Sequence, residues 1–355
     1  MPDWSKSMQR TYEYYIVDPG SWTDKSKINT ITKSKIERDD SADTLGSASL
    51  EATESIGECY VRIYFITIQN GIREKFSLGT FLVQTPSVDY DGRVKKIVMD
   101  AYTPLLELKE NPPPLGYSIM KETNIMDAAY NLCWTHMRGP VVKTSSDDKL
   151  YCDFVANTDD TWLTYIRDLV ANAEYDLGLD EYSRVIFLPF QELDSLQPVW
   201  SYNDDNSSIL YSDISLEQDL YGVPTTVEVI YTGTNNSVNY YAKAVNDDPN
   251  SPTSIFSRGR EIVYRDTDPD ISGIPTTAML QEYAKKLLKK LSSVEYTISY
   301  THGYNGVRVG DCVRMNYSRA GITDIKAKVI KQTIECDTAG KVTETAVFTK
   351  QLWEG

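Results

Sequence analysis

"NGVRVGDCVRMNY", Asn305 to Tyr317, alternates apolar Val307, Val309, Val313, Met315 and Tyr317 with polar Arg308, Arg314 and Asn316. Gly310-Asp311 separates the two halves. A period of two predicts β structure with a bend at Gly310, one face apolar and one face wet. Such a strand serves an enzyme, a binding module or a building block equally well, so the chain around it has to decide.

Working outward, the same signals recur. "VTETAVFTKQL" and "AKVIKQTIECD" read as strands joined by a turn over Asp337 to Gly340. Near the N-terminus, "TYEYYIVDPGSW" reads as a strand ending in Asp18-Pro19-Gly20. "GECYVRIYFITIQNGIREKFSLGTFLVQTP" reads as a hairpin around Asn70-Gly71, a pair that tolerates positive φ. "VKKIVMDAY" adds another strand. "ENPPPLG" (Glu110 to Gly116) then breaks the pattern, because three prolines continue neither ladder nor helix.

Beyond it, "NIMDAAYNLCWTHM" predicts a helix capped by Asn124. Trp162, Leu163, Ile166, Leu169 and Val170 make one apolar helical face, with Thr158 or Asp159 as the expected cap and Gly178 as the expected stop. "LDEYSRVIFLP" turns into a strand. "PTTVEVIYTG" and "NYYAKAVN" are β, followed by the polar loops "NDDPNSPTS" and "RDTDPDISGIP". Leu280, Tyr283, Ala284, Leu287, Leu288 and Leu291 stripe a last helix at about 276–292. The expected organisation is a β domain over 1–110, a helical and mixed insertion over 111–192, and a second β domain over 193–355. The fold class is mainly β with α insertions (α+β).

Composition narrows the function. The 355 residues suit about two or three domains. Tyr is abundant at 25 against 8 Phe, which suits half-buried strands and protein contacts. The net charge of −15 argues against tight nucleic-acid binding but not against DNA passing close by. Five cysteines without a CxxC do not suggest a disulfide framework. Residues 1–25 lack the pattern of a signal peptide, so the chain is expected to be made in the cytoplasm. The run "YVRIYFITI" carries Arg62 and is too short to span a membrane.

Catalytic patterns are scarce. HExxH, GxSxG, Walker A and a strand-linked GxGxxG are all absent from the sequence. Cys133, His136 and Cys152 supply three potential zinc ligands but lack a fourth and lack paired spacing; a buried thiol beside a half-exposed imidazole is the simpler expectation. Asp266, Asp268 and Asp270 start like a calcium loop, yet Ile271 and Thr277 occupy the positions of the turn glycine and the bidentate glutamate. A polar loop is therefore expected, with a weak cation site as its alternative. Lys285, Lys286, Lys289 and Lys290 read as a solvated helix face. His302 in "THGYNG" is expected in a turn packed by tyrosines. No catalytic, cofactor-binding or metal residue is assigned, and no cofactor is expected.

The order of the segments adds what no single motif supplies. "LGTFLV" (Leu78 to Val83) comes first, then "WLTYIRDL" followed by "LDEYSRVIFLP", with Trp162, Asp180, Arg184, Phe187 and Pro189. "DLYGVPTTVEV" with Pro224-Thr225 follows, then "NDDPNSPTS" with "RGR" (Arg258 to Arg260), the helix with Ala284, and Val309 to Val313. Over about residues 45–350 this series resembles the central tail hub, or baseplate hub, of long-tailed bacteriophages. That group includes late control protein D and the N-terminal part of the type VI secretion spike. Pro224-Thr225 departs from the Pro-Asn often found in the family.

The resemblance implies two β-barrel-like, tube-type domains, 1–110 and 193–355, with the insertion between them, in a non-enzymatic structural protein of the virion, a homotrimer whose ring joins a hexameric tail tube to a threefold spike or fibre. DNA and tape-measure protein would pass through its lumen without specific binding. Its partners would be the tail tube or distal tail protein, the spike, fibre or tail lysin, and the tape-measure protein, as in other contractile injection system-like assemblies. Some relatives carry a lysozyme or peptidase domain; here the last strands run to Gly355, so lytic activity is expected on another protein. The alternatives are a tail-associated cell-wall hydrolase and a receptor-binding tail module.

Overall fold

The computed structural model describes residues 2–90, 92, 95–206, 208–232, 239–271 and 275–355. By contact the chain forms two compact units: 1–214 with 299–346, and 215–298 with 347–355. This grouping differs from the three consecutive segments read from the sequence. The physical reason is strand pairing. Ile322–Cys336 pairs antiparallel with Ile31–Asp39, setting Ile334 opposite Ile36 and Glu335 opposite Lys35. The C-terminal strands thus complete a sheet begun near the N-terminus.

In the first unit, that sheet continues from Ile31–Asp39 through Gly46–Ala52, Lys95–Tyr102, Ile72–Tyr90, Tyr60–Gln69 and Gln9–Asp18 to Thr23–Ile28. Alternation puts Ala48, Leu50 and Ala52 inside from one strand and Ile97, Met99 and Ala101 from its neighbour. Asn70 (φ +50) and Gly71 (φ +79) make the expected tight hairpin turn. Tyr60–Gln69 is buried on both faces over its first eight residues. Val61, Ile63 and Phe65 fill the core. On the other face Arg62 is covered: its Nη1 donates to Asp24 at 2.9 Å, its Nη2 to the Trp22 carbonyl at 3.0 Å and its Nε to Thr80 at 2.9 Å. Each nitrogen of the buried guanidinium thereby finds an acceptor.

Barrel-like domains were expected; among the described residues no sheet closes into a barrel, and one end of the large sheet is Thr23–Ile28. That edge reads "TDKSKI" and is exposed over its first five residues. Lysines on an edge oppose further pairing.

The insertion packs a core of its own. Its helices are Ile125–His136 and Trp162–Ala171, beside the hairpin Tyr175–Leu179 and Val185–Pro189. Asn124 caps the first helix by accepting from the Asp127 amide at 2.9 Å. The second starts later than its sequence suggests, because Thr161 and Thr164 form a capping box there. It ends at Asn172, and Gly178 lies inside a strand instead of stopping the helix. A Cβ at Gly178 would sit 2.6 Å from Leu188 Cδ1, so the glycine serves close strand packing.

The second unit holds a three-stranded sheet, Asn239–Val245, Thr226–Thr232 and Val263–Asp266, with the helix Thr277–Leu291 on one face. Leu280, Ala284 and Leu288 are buried against Val227, Val229, Ala242 and Ala244. The stripe read from the sequence is the face that packs. Among the described residues no helix is long and apolar enough to cross a membrane.

Candidate functional site

The opening stretch is half strand and half loop. Gly310 (φ +94) donates to the Val329 carbonyl at 2.8 Å, and the Val329 amide donates to the Asp311 carbonyl at 2.9 Å. The ladder proper starts at Cys312. Asp311 caps the bend by accepting from the Arg308 amide at 2.8 Å. Val307, Val313 and Met315 are buried as their alternation predicts.

This stretch lies beside a buried polar cluster. His302 belongs to the strand Ser293–Gly303 and not to a turn, and its side chain is fully buried. Tyr202 and Tyr300 flank its ring with centroids at 4.9 and 5.7 Å, so the expected tyrosine packing is present. Glu344, also fully buried, accepts from Tyr300 Oη at 2.7 Å and from Gln332 Nε2 at 2.5 Å. His302 Nε2 lies 3.2 Å from the same carboxylate. Gln332 in turn accepts from Arg38 Nη1 at 2.5 Å, and Arg38 Nη2 donates to the Leu78 carbonyl at 2.7 Å.

Burial works to raise the Glu344 carboxyl. The charge and hydrogen bond of His302, with those of Tyr300 and Gln332, outweigh it and hold Glu344 below the usual carboxylate range. Burial, then the neighbouring Arg308 charge, lowers Arg38 to about 9. Burial and the Glu344 charge push Tyr202 and Tyr300 well above the usual phenol value. No periodic signal marks this cluster, since its members lie on five separated strands and a loop.

Cys133 is buried, and burial raises its thiol to about 12. Cys152 is exposed. His136 stacks on Trp162 with centroids 4.0 Å apart, and burial lowers its pKa. Among the described residues no three His, Cys, Asp or Glu side chains group as a metal site. Asp266 accepts from Tyr283 Oη at 2.9 Å and from the Asp268 amide at 3.1 Å, while Asp268 and Asp270 face solvent. Lys285, Lys286, Lys289 and Lys290 are all exposed; Lys286 pairs with Glu282 at 3.7 Å and Lys289 with Glu354 at 2.8 Å.

The motifs that carry the resemblance have structural work. Arg258 of "RGR" reaches back to the carbonyls of Val223 and Leu220 at 2.9 and 3.1 Å, which fixes the turn before Pro224. Gly259 ends the short helix Ile255–Arg258 with φ +62. In "NDDPNSPTS", buried Asn246 donates to Ser251 and Thr253 at 2.9 and 3.1 Å. Asp180 accepts from the Tyr182 and Arg184 amides and pairs with the Arg184 guanidinium, shaping the hairpin turn. Large apolar side chains remain exposed on the insertion, among them Leu115, Met120, Trp134, Tyr151 and Phe190.

No family model and no curated protein matches the sequence. Solved structures do match it. A tail protein from Neisseria meningitidis MC58 superposes with a TM-score of 0.61 at 12% identity, covering 97% of this chain and 98% of its own. The 43 kDa tail protein of prophage MuSo2 from Shewanella oneidensis gives 0.58 at 12% identity, covering 95% and 98%. Both likenesses run nearly end to end. This chain therefore has the fold of phage tail proteins.

Proposed function

We propose that this chain is a structural protein of a phage tail, built into the virion at the tail tip or baseplate. The carrying observation is the end-to-end likeness to two tail proteins, each covered over 98% of its length. The finer reading is a homotrimeric hub that joins the tail tube to a spike or fibre. Exposed Trp134, Tyr151 and Phe190 suit burial against partner subunits, where aromatic side chains are enriched. The net charge of −15 suits a wall past which DNA and tape-measure protein slide without sticking. The resolved hydrogen-bond networks act as struts, and the role proposed for them is mechanical and not catalytic.

The test is mass in solution by light scattering, alone and with the tail-tube or spike protein, together with negative-stain imaging. Threefold rings with a central opening are the expected result. A monomer in every mixture overturns the hub, and turnover of peptidoglycan by the pure protein would replace it with a hydrolase.

A further inference from the structure

The hairpin of Ile72–Tyr90 with Lys95–Tyr102 outruns the sheet that holds it. Tyr60–Gln69 pairs with it only as far as Leu82, and Gly46–Ala52 only as far as Ile97. Past these points the register still sets Pro86 opposite Met99, Val88 opposite Ile97 and Tyr90 opposite Lys95. Residues directly opposite one another share a face. Met99 and Ile97 are buried in the core, whereas Val88 is 58% and Tyr90 70% exposed. The apolar face of the hairpin therefore runs on beyond the core that covers it. A two-stranded ribbon is marginal by itself in water, so this arm gains from a further strand.

One flank of the arm is open. Among the described residues no strand pairs with residues 86–90 on the side away from Lys95–Tyr102. Pro86 offers no amide there, but residues 87–90 keep theirs, and in an antiparallel ladder alternate residues turn their backbone groups outward. Beside the start of this flank lies a cleft of about 210 Å³ whose lining includes Glu58, Val83, Gln84, Pro86 and Met99. Glu58 at the cleft and Asp89 on the arm are both exposed carboxylates. The cations near them are engaged elsewhere. Lys96, opposite Asp89, pairs with Glu51 at 2.9 Å, and Arg138, whose charge Glu58 feels, pairs with Glu107 at 2.5 Å.

We propose that residues 86–90 take up an extended segment of another tail protein as an added strand. The open backbone groups select an extended chain, as in other cases of strand addition to a sheet edge. Pro86, Val88 and Tyr90 call for apolar side chains at alternate positions of that segment, one of them filling the cleft. Glu58 and Asp89 call for lysine or arginine beside them, which the surface of a chain with net charge −15 favours as well. The inference rests on the tail role, which supplies the partner.

The probe is a blocked heptapeptide alternating valine with lysine, labelled for fluorescence anisotropy and titrated into the full chain. It should bind, and its counterpart with glutamate for lysine should bind about tenfold more weakly. The peptide N-methylated at every valine and the one N-methylated at every lysine should differ, because only one of them blocks the edge that faces the arm. Hydrogen exchange at residues 87–90 should slow when the peptide is present. Val88→Asp with Tyr90→Asp, at two exposed positions, should weaken binding about tenfold. Glu58→Lys with Asp89→Lys should reverse the preference between the lysine and glutamate peptides. No binding, binding without slowed exchange at 87–90, or equal binding of the two N-methylated peptides overturns the proposal. Slowing that follows protein concentration alone gives the flank to a second copy and overturns it too. Rings formed with the tail-tube protein by a chain that takes no strand sink this inference and leave the tail role standing. Strand uptake by a chain that never joins tail proteins leaves the docking edge and sinks the tail role.

Discussion

The Thr80 amide donates to Ser183 Oγ at 2.8 Å, across 103 residues of sequence. Thr80 Oγ1 also donates to the Tyr182 carbonyl at 2.9 Å, and Trp22 Nε1 donates to that same carbonyl at 3.0 Å. The turn of the inserted hairpin is thus plugged into the large sheet. A bulge between Ile63 and Tyr64 opens the ladder there. Removing the hydroxyl in Ser183→Ala leaves a buried amide without its acceptor. The expected loss is about 1–3 kcal/mol, read as a lower denaturant midpoint with unchanged slope.

Gly79 makes that approach possible. Its φ is +141, and a Cβ there would lie 2.8 Å from the Phe81 ring. Gly79→Ala should cost more than Ser183→Ala, because backbone strain adds to the clash. Limited proteolysis within the insertion, faster in Gly79→Ala than in the wild type, is the check.

Arg62 and Asp24 form a partly buried pair at 2.9 Å, with the guanidinium 5.2 Å from the Tyr182 ring centroid. Asp24→Ala should destabilise by about 3–5 kcal/mol, since it leaves a buried cation uncompensated. Arg62→Met together with Asp24→Leu should recover much of that loss. Equal instability of single and double variants would refute the account.

Arg258→Ala removes two charge-assisted bonds to the Leu220 and Val223 carbonyls. A loss of about 1.5–3 kcal/mol is expected. Lysine should rescue little, because it cannot present two donors in a fixed fork. Thermal unfolding of the three proteins side by side measures this.

Glu344 supplies an acid limb of stability. Its carboxyl titrates lower in the folded chain than in the unfolded one. Its contribution is therefore complete above the unfolded carboxyl value and is lost as pH falls through the lower folded value. Glu344→Gln should be less stable near neutrality and should show a shallower fall below pH ~4.5 in acid titration followed by circular dichroism.

Much of the architecture was legible because it rests on local rules. Asn70-Gly71 announced its hairpin, Asn124 its cap, and Leu280, Ala284 and Leu288 their buried face. What local rules do not carry was missed. Thr161 outcompetes Thr158 and Asp159 as a cap through its reciprocal bond with Thr164, a contest between neighbours of similar propensity. His302 reads as a turn residue beside Gly303, yet Ser293–Gly303 is a strand whose pairing lies far away in sequence. The cluster around Glu344 has no signature, because an isolated Glu in "VTETAVF" looks like any outward-facing polar residue of a strand.

The pairing of Ile36 with Ile334 sets a timetable for synthesis. The two partners are 334 − 36 = 298 residues apart. At ~5–20 residues per second, a ribosome needs roughly 15–60 s to deliver the second after the first. Throughout that interval the strand Ile31–Asp39 shows one bare flank to the cell, with apolar Ile36 waiting beside it. A nascent chain so exposed calls for a holding chaperone or for fast pairing with Gly46–Ala52 on its other side, and translational pausing before residue 322 should raise the aggregated fraction.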